Sequence, residues 1–209
     1  MLSHSKIERR NDAGMTLVET MIALGIFMVV IMAVGAFQVS IFSNQKAVSG
    51  SLQTAQDAQI ILKTMLTELR AASPGMNGSY PIASAGTSSI TFFSDANNDG
   101  MTEQIGYRLS SSTVYRTMIP PTGSPATYNI ANQTTSVIMN NVRNSASSPV
   151  FQYFDQNYTG TSSPLAMPVN ISSVRLVQIN LTLDVNPNLS QVPRTYTVQA
   201  SLRNIKTNL

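Results

Sequence analysis

The 209-residue chain contains no cysteine and a single histidine, His4, and only 11% of its residues are charged. Without cysteine there is no disulfide framework and no thiolate metal site, and the redox compartment cannot be read from the sequence. His4 precedes a long apolar stretch, so a chain that loses its first fourteen residues has neither histidine nor cysteine. Histidine-dependent triads, cysteine nucleophiles and His-ligated zinc are then excluded. Carboxylate-only chemistry stays open, but no pair of acids is marked for it. Proline is missing as well until Pro74, which leaves the first third of the chain free to run as one uninterrupted helix.

The net charge of +3 and pI near 9.3 invite a nucleic-acid reading. Lys6, Arg9 and Arg10, with Glu8 and Asp12, precede Gly14; the remainder holds ten basic and eight acidic residues spread singly, a net +2. No basic stripe interleaved with aromatics appears, so nucleic-acid binding is unsupported. The scarcity of charge and the Ser, Thr, Asn, Gly and Pro content of the later segments suit an extracytoplasmic, loop-rich β domain.

What is present is the segment AGMTLVETMIALGIFMVVIMAVGAF, residues 13–37, with no charge from Thr20 to Gln45. About 20 apolar residues suffice to span a bilayer core. Three readings compete. A cleaved secretory signal would use the small residues Ala33 and Gly35, but its apolar core is normally shorter and rarely holds an acid. A plain anchor leaves Glu19 as an unexplained cost in the bilayer. The third reading makes the run a packing surface as well as an anchor, with Glu19 awaiting a positive partner.

The basic leader, Gly14, Met15-Thr16-Leu17-Val18-Glu19 and the apolar run after it resemble the class III signal of type IV pilins and their relatives. That resemblance implies that a prepilin peptidase cuts between Gly14 and Met15 and that the new terminus at Met15 is N-methylated. It further implies that Glu19 is an assembly residue, pairing with an N-terminal amine as subunits dock. Gly14 has a physical reading as well, because a residue without Cβ lets backbone lie close to a protease. The cations of the leader hold it on the cytoplasmic side. Met15 departs from the phenylalanine usual in the family, and Ala36 stands where many filament-forming pilins have proline.

Beyond the apolar run, Val48, Leu52, Ala55, Leu62, Met65, Leu66 and Leu69 keep three- and four-residue steps. One helix from Met15 to Ala72 is expected, roughly 85 Å long at about 1.5 Å per residue, its second half packed on the chain's own sheet. Gly25 and Gly35 would permit bending or close contact with neighbours, or are simply small residues common in membrane helices. After Ser73-Pro74-Gly75 the period falls to two. Strands are expected at Ser89–Phe93, Gln104–Ser110 and Thr113–Met118, with shorter ones at Ser136–Met139 and Val150–Phe154. Alternation over residues 177–183 and 196–202 predicts a hairpin joined by DVNPNLSQVP. Arg203 and Asn204 would cap its last strand.

The fold expected is therefore α+β: a leader (1–14), an apolar transmembrane and assembly helix (15–45), an amphipathic helix (46–72) and an antiparallel β-rich head (73–209). The order ITFFSDANNDGMTEQIGYRLSSSTVYR, followed by the terminal VQASLRN, is similar to PilW-type minor pilins and J-type pseudopilins. As partners this resemblance implies the prepilin peptidase, other minor and major pilins, an inner-membrane assembly platform and the membrane itself.

Asp95, Asn97, Asp99 and Gly100 match the first half of a calcium loop, with Glu103 at the ninth position and Gly106 where the twelfth-position acid should stand. The alternative is a polar turn in which Asp and Asn bond their own backbone. No cofactor is required by the sequence, and calcium is the one candidate. Tyr128, Tyr153 and Tyr158 are readable either as an adhesive surface or as packing residues.

Overall fold

The computed structural model describes residues 15–184 and 192–202, without the side chains of residues 43, 44 and 46–52. One continuous α-helix, α1, runs over Leu17–Arg70. The chain divides into two units, residues 1–48 and residues 49–209.

In the first unit, Leu17–Phe42 is long and apolar enough to cross a membrane by length and composition. None of that stretch is buried within the chain, and Met21, Phe27, Met32 and Phe37 each leave more than half of their surface free. The space beside Gly25 and Gly35 is open. Among the described residues no contact therefore calls for small residues at either position.

In the second unit, the end of α1 packs on a sheet. Of the expected positions, Leu62, Met65 and Leu69 are buried and Leu66 is partly buried; with Ala58, which the pattern did not include, they share one core with Ile90, Phe92, Ile105, Val177, Ile179 and Leu181. Ala55 is only half-buried, and the side chains of Val48 and Leu52 lie outside the described residues. The helix stops at Arg70, two residues short of the expected Ala72. Pro74 disfavours helical backbone in the residue before it, and the Ser73 amide instead donates to Phe93 O at 3.0 Å, turning the chain onto the sheet.

Ten strands follow among the described residues: β1 (Ile82–Ala85), β2 (Ser89–Ser94), β3 (Glu103–Ser110), β4 (Thr113–Ile119), β5 (Pro121–Thr122), β6 (Thr127–Tyr128), β7 (Thr134–Met139), β8 (Phe151–Phe154), β9 (Leu176–Leu183) and β10 (Arg194–Ser201). Five form an antiparallel sheet in the order β1-β2-β3-β4-β7, three form a second in the order β10-β9-β8, and β5-β6 is a small separate hairpin. Links between the larger sheets and the segments beside them include a bridge from Val142 to Leu183, the Arg143 amide donating to Thr182 O at 2.7 Å, and the Phe151 amide donating to Thr87 O at 3.0 Å.

The structure bears out the α+β expectation, a long helix followed by an antiparallel sheet domain. The three strands expected from residue 89 to 118 and the two shorter ones are present, with ends moved by at most two residues. The pairing of residues 176–183 with 194–201 runs from Leu176↔Ser201 to Leu183↔Arg194. Most of the DVNPNLSQVP connection, and Arg203 and Asn204, lie outside the described residues. β1, β5 and β6 are additional; they are short and alternate too few residues to register as periodicity.

Candidate functional site: the capped start of the apolar helix

Thr16 is the last residue before α1, and Glu19 is its third helical residue. The Thr16 amide donates to Glu19 Oε2 at 2.9 Å and its hydroxyl donates to the same oxygen at 3.1 Å, while the Glu19 amide donates to Thr16 Oγ1 at 3.3 Å. Two amide donors that a helix start leaves orphaned are thereby satisfied reciprocally, which is the capping box of a Ser or Thr followed three residues later by Glu or Gln. The carboxylate also sits in the first turn, where the helix dipole favours an anion. Both side chains remain exposed.

The Glu19 carboxylate thus has a task within its own chain in addition to the docking role implied by the resemblance. The signal for it, Thr16-x-x-Glu19 ahead of an apolar run, stands in the sequence, but the presence of an acid in a membrane-like segment draws attention first. Met15 immediately precedes the cap, so cleavage after Gly14 would leave an ammonium one residue from Thr16. Gly14 itself lies outside the described residues.

The second candidate, the loop between β2 and β3, closes on itself. Asp95 Oδ1 accepts from the Asp99 amide at 3.2 Å and Asp95 Oδ2 from the Gly100 amide at 3.0 Å. Asn97 Oδ1 accepts from the Asp99 amide at 3.0 Å, and Asp99 Oδ1 from the Met101 amide at 2.8 Å. Asn98 and Gly100 take positive φ angles, 58° and 86°, which Asn and Gly tolerate best. Glu103 is buried at the base of the loop, where its Oε2 accepts from the Ala96 amide at 2.9 Å. The four residues are brought together, mostly through backbone amides, with one direct side-chain bond in which Asn97 Nδ2 donates to Asp99 Oδ2 at 2.8 Å. Among the described residues no group of three or more His, Cys, Asp or Glu side chains is placed to hold a metal ion.

The three tyrosines part company. Tyr153 is a core residue whose hydroxyl donates to Gly86 O at 2.8 Å. Tyr158 lies on Phe154 with ring centroids 4.2 Å apart, and Tyr128 lies against Phe93 at 4.9 Å. Sequence reading missed a half-buried cluster in which α1 is tied to the sheet: Glu68 accepts from the Tyr107 hydroxyl at 2.5 Å and from Arg116 at 2.7 Å.

Residues 9–35 match the family model of the prokaryotic N-terminal methylation motif. The matched stretch includes Gly14, Met15, the Thr16–Glu19 cap and most of the apolar helix, and it supports a type IV pilin-like protein. No curated protein matches the chain.

Proposed function

We propose that this chain is a non-catalytic subunit of a type IV pilus-like machine, a minor pilin that helps to start or cap a filament. The observation that carries the proposal is the methylation motif at residues 9–35 lying on a helix start where Glu19 caps an otherwise unshielded apolar surface. In this reading the precursor sits in the inner membrane with its head outside the cytoplasm. Prepilin peptidase removes residues 1–14 and Met15 is N-methylated. The assembly platform then extracts the apolar helix into contact with other minor and major pilins. Glu19 presents a negative charge in a low-dielectric setting, where a neighbour's N-terminal ammonium is its natural counter-ion.

The capping box makes Glu19→Gln a clean test, because a carboxamide also serves at the third helical position and only the charge is lost. In the native host, Glu19→Gln should be cleaved normally, as read by mass, yet lose crosslinks between its helix and other pilins, and surface filaments should become fewer. Gly14→Val should instead leave uncleaved precursor in the membrane. Normal crosslinks and filament numbers in Glu19→Gln would make the chain a membrane-anchored surface binding protein without a filament role. Loss of protein secretion or DNA uptake, with pili intact, would make it a pseudopilin.

A further inference from the structure

A cleft opens beside β1, at the edge of the five-stranded sheet and wholly within residues 49–209, with the core residue Ile82 in its floor. Along β2 and β3 the side chains of Ile90, Phe92, Ile105 and Tyr107 enter the core, so the paired Phe93 and Gln104 point the other way. They line the cleft together with Tyr80, Tyr128, Asn77 and Ala83. Its volume is about 480 Å³, within the range of small-molecule sites.

The chemistry of the lining is selective. Every lining side chain is uncharged, so neither an anion nor a cation would meet a counter-charge. The Tyr128 ring is held in place, since its hydroxyl donates to Thr102 O at 2.7 Å and accepts from the Met76 amide at 2.9 Å. Asn77 is likewise fixed, its Oδ1 accepting from the Ser79 amide at 3.1 Å. Its amide NH₂ makes no hydrogen bond to a described residue, nor does the Gln104 side chain. The Tyr80 hydroxyl is buried with no hydrogen-bond partner among the described residues, an unmet polar group of a kind that is rare in folded proteins. An apolar ligand would strip water from these amides without replacing their hydrogen bonds.

A ligand that offers C–H faces to aromatic rings and hydroxyls to amides satisfies both halves of this lining. We propose that the cleft binds a neutral sugar residue of a glycan. Tyr128 and Tyr80 supply the aromatic walls, and Gln104 and Asn77 supply donors and acceptors for ring hydroxyls. The proposal concerns the head alone and stands whether or not the chain enters a filament.

The test uses the purified full-length chain in a detergent without a sugar headgroup, probed by saturation-transfer NMR. The probes are neutral trisaccharides built from glucose, galactose or N-acetylglucosamine, together with an uncharged tripeptide. At least one trisaccharide should bind with a dissociation constant of about 1 mM or tighter. Gln104→Ala should weaken it about fivefold, the worth of one hydrogen bond, without moving the melting temperature. Ala83→Trp, which fills the cleft from the exposed side of β1, should abolish it. Absence of transfer to all the trisaccharides, binding of the tripeptide in their place, or full binding by both folded variants would each overturn the proposal.

Discussion

Glu68 concentrates three donors on one carboxylate, and no neighbour in the sequence announces it. Tyr107 and Arg116 lie 39 and 48 residues away along the chain and reach it from β3 and β4, while its side chain and that of Arg116 keep only 12% and 20% of their exposure. Removing the acid leaves a cation and a phenol facing a space with little water. Glu68→Ala should therefore destabilise the head by about 2–3 kcal/mol, less than a fully buried pair would lose because solvent still reaches Arg116. Tyr107→Phe, which deletes one neutral donor, should cost about 1 kcal/mol. Urea unfolding of the two variants should show this order, and a reversed order would mean that the phenol, not the ion pair, ties the helix to the sheet. Glu19 illustrates the opposite case at the same scale. Its partner Thr16 is three residues away, so its capping role could be read from the sequence directly.

At the scale of elements, the loop between β2 and β3 shows how a ligand-like spacing can be spent on the backbone. A D-x-N-x-D-G run presents alternate oxygens, and here those oxygens accept from the amides of Asp99, Gly100 and Met101. A cation would have to compete with these bonds, and the twelfth-position acid that would help it is Gly106. That glycine has its own reason, since a Cβ there would lie 2.5 Å from Thr117 Oγ1 across the strand pair. Millimolar calcium is thus expected to leave the melting temperature equal to that in chelator, whereas Asp95→Ala should lower it with or without calcium. A rise with calcium that Asp95→Ala removes would instead place the ion in the loop by linkage. The hairpins were legible at this scale because each is local: alternation marks the strands, and a two-residue turn with Ser111 at φ 56° joins β3 to β4. The partnership of β4 with β7, across the β5-β6 hairpin, has no such local mark.

For the whole molecule, the second unit holds every buried core residue among those described, so a fragment from Ser49 onward is expected to fold without the apolar helix. Its stability should carry a signature at high pH. Burial, aided by the charge and hydrogen bond of Glu68, raises the pKa of Tyr107, and burial raises that of Tyr153 against the opposing hydrogen bond to Gly86. In the unfolded chain both phenols titrate near 10.0. Above that pH the unfolded state gives up protons that the folded state keeps, so protons favour folding and stability falls as pH rises. The urea midpoint of the fragment should drop between about pH 9 and about pH 11, and less steeply in Tyr153→Phe. Equal slopes in the two proteins would show that Tyr153 is not kept protonated by the fold.

By itself the sequence determined the features whose physics is contiguous. The apolar run, the helical spacing from Leu62 to Leu69, the alternating strands and the Gly14-Met15 motif each depend on neighbours within a turn or a pleat. The same is true of the Thr16–Glu19 cap. Only the tertiary structure decided that Glu68 meets Arg116 and Tyr107, that β7 joins β4, and that Gln104, Phe93, Tyr80 and Tyr128 enclose a neutral cleft. These contacts join residues tens of positions apart, and each depends on how far a strand twists and which face it turns to the helix. Periodicity states which face is apolar, but the core that covers it selects the polar residues left together on the other side.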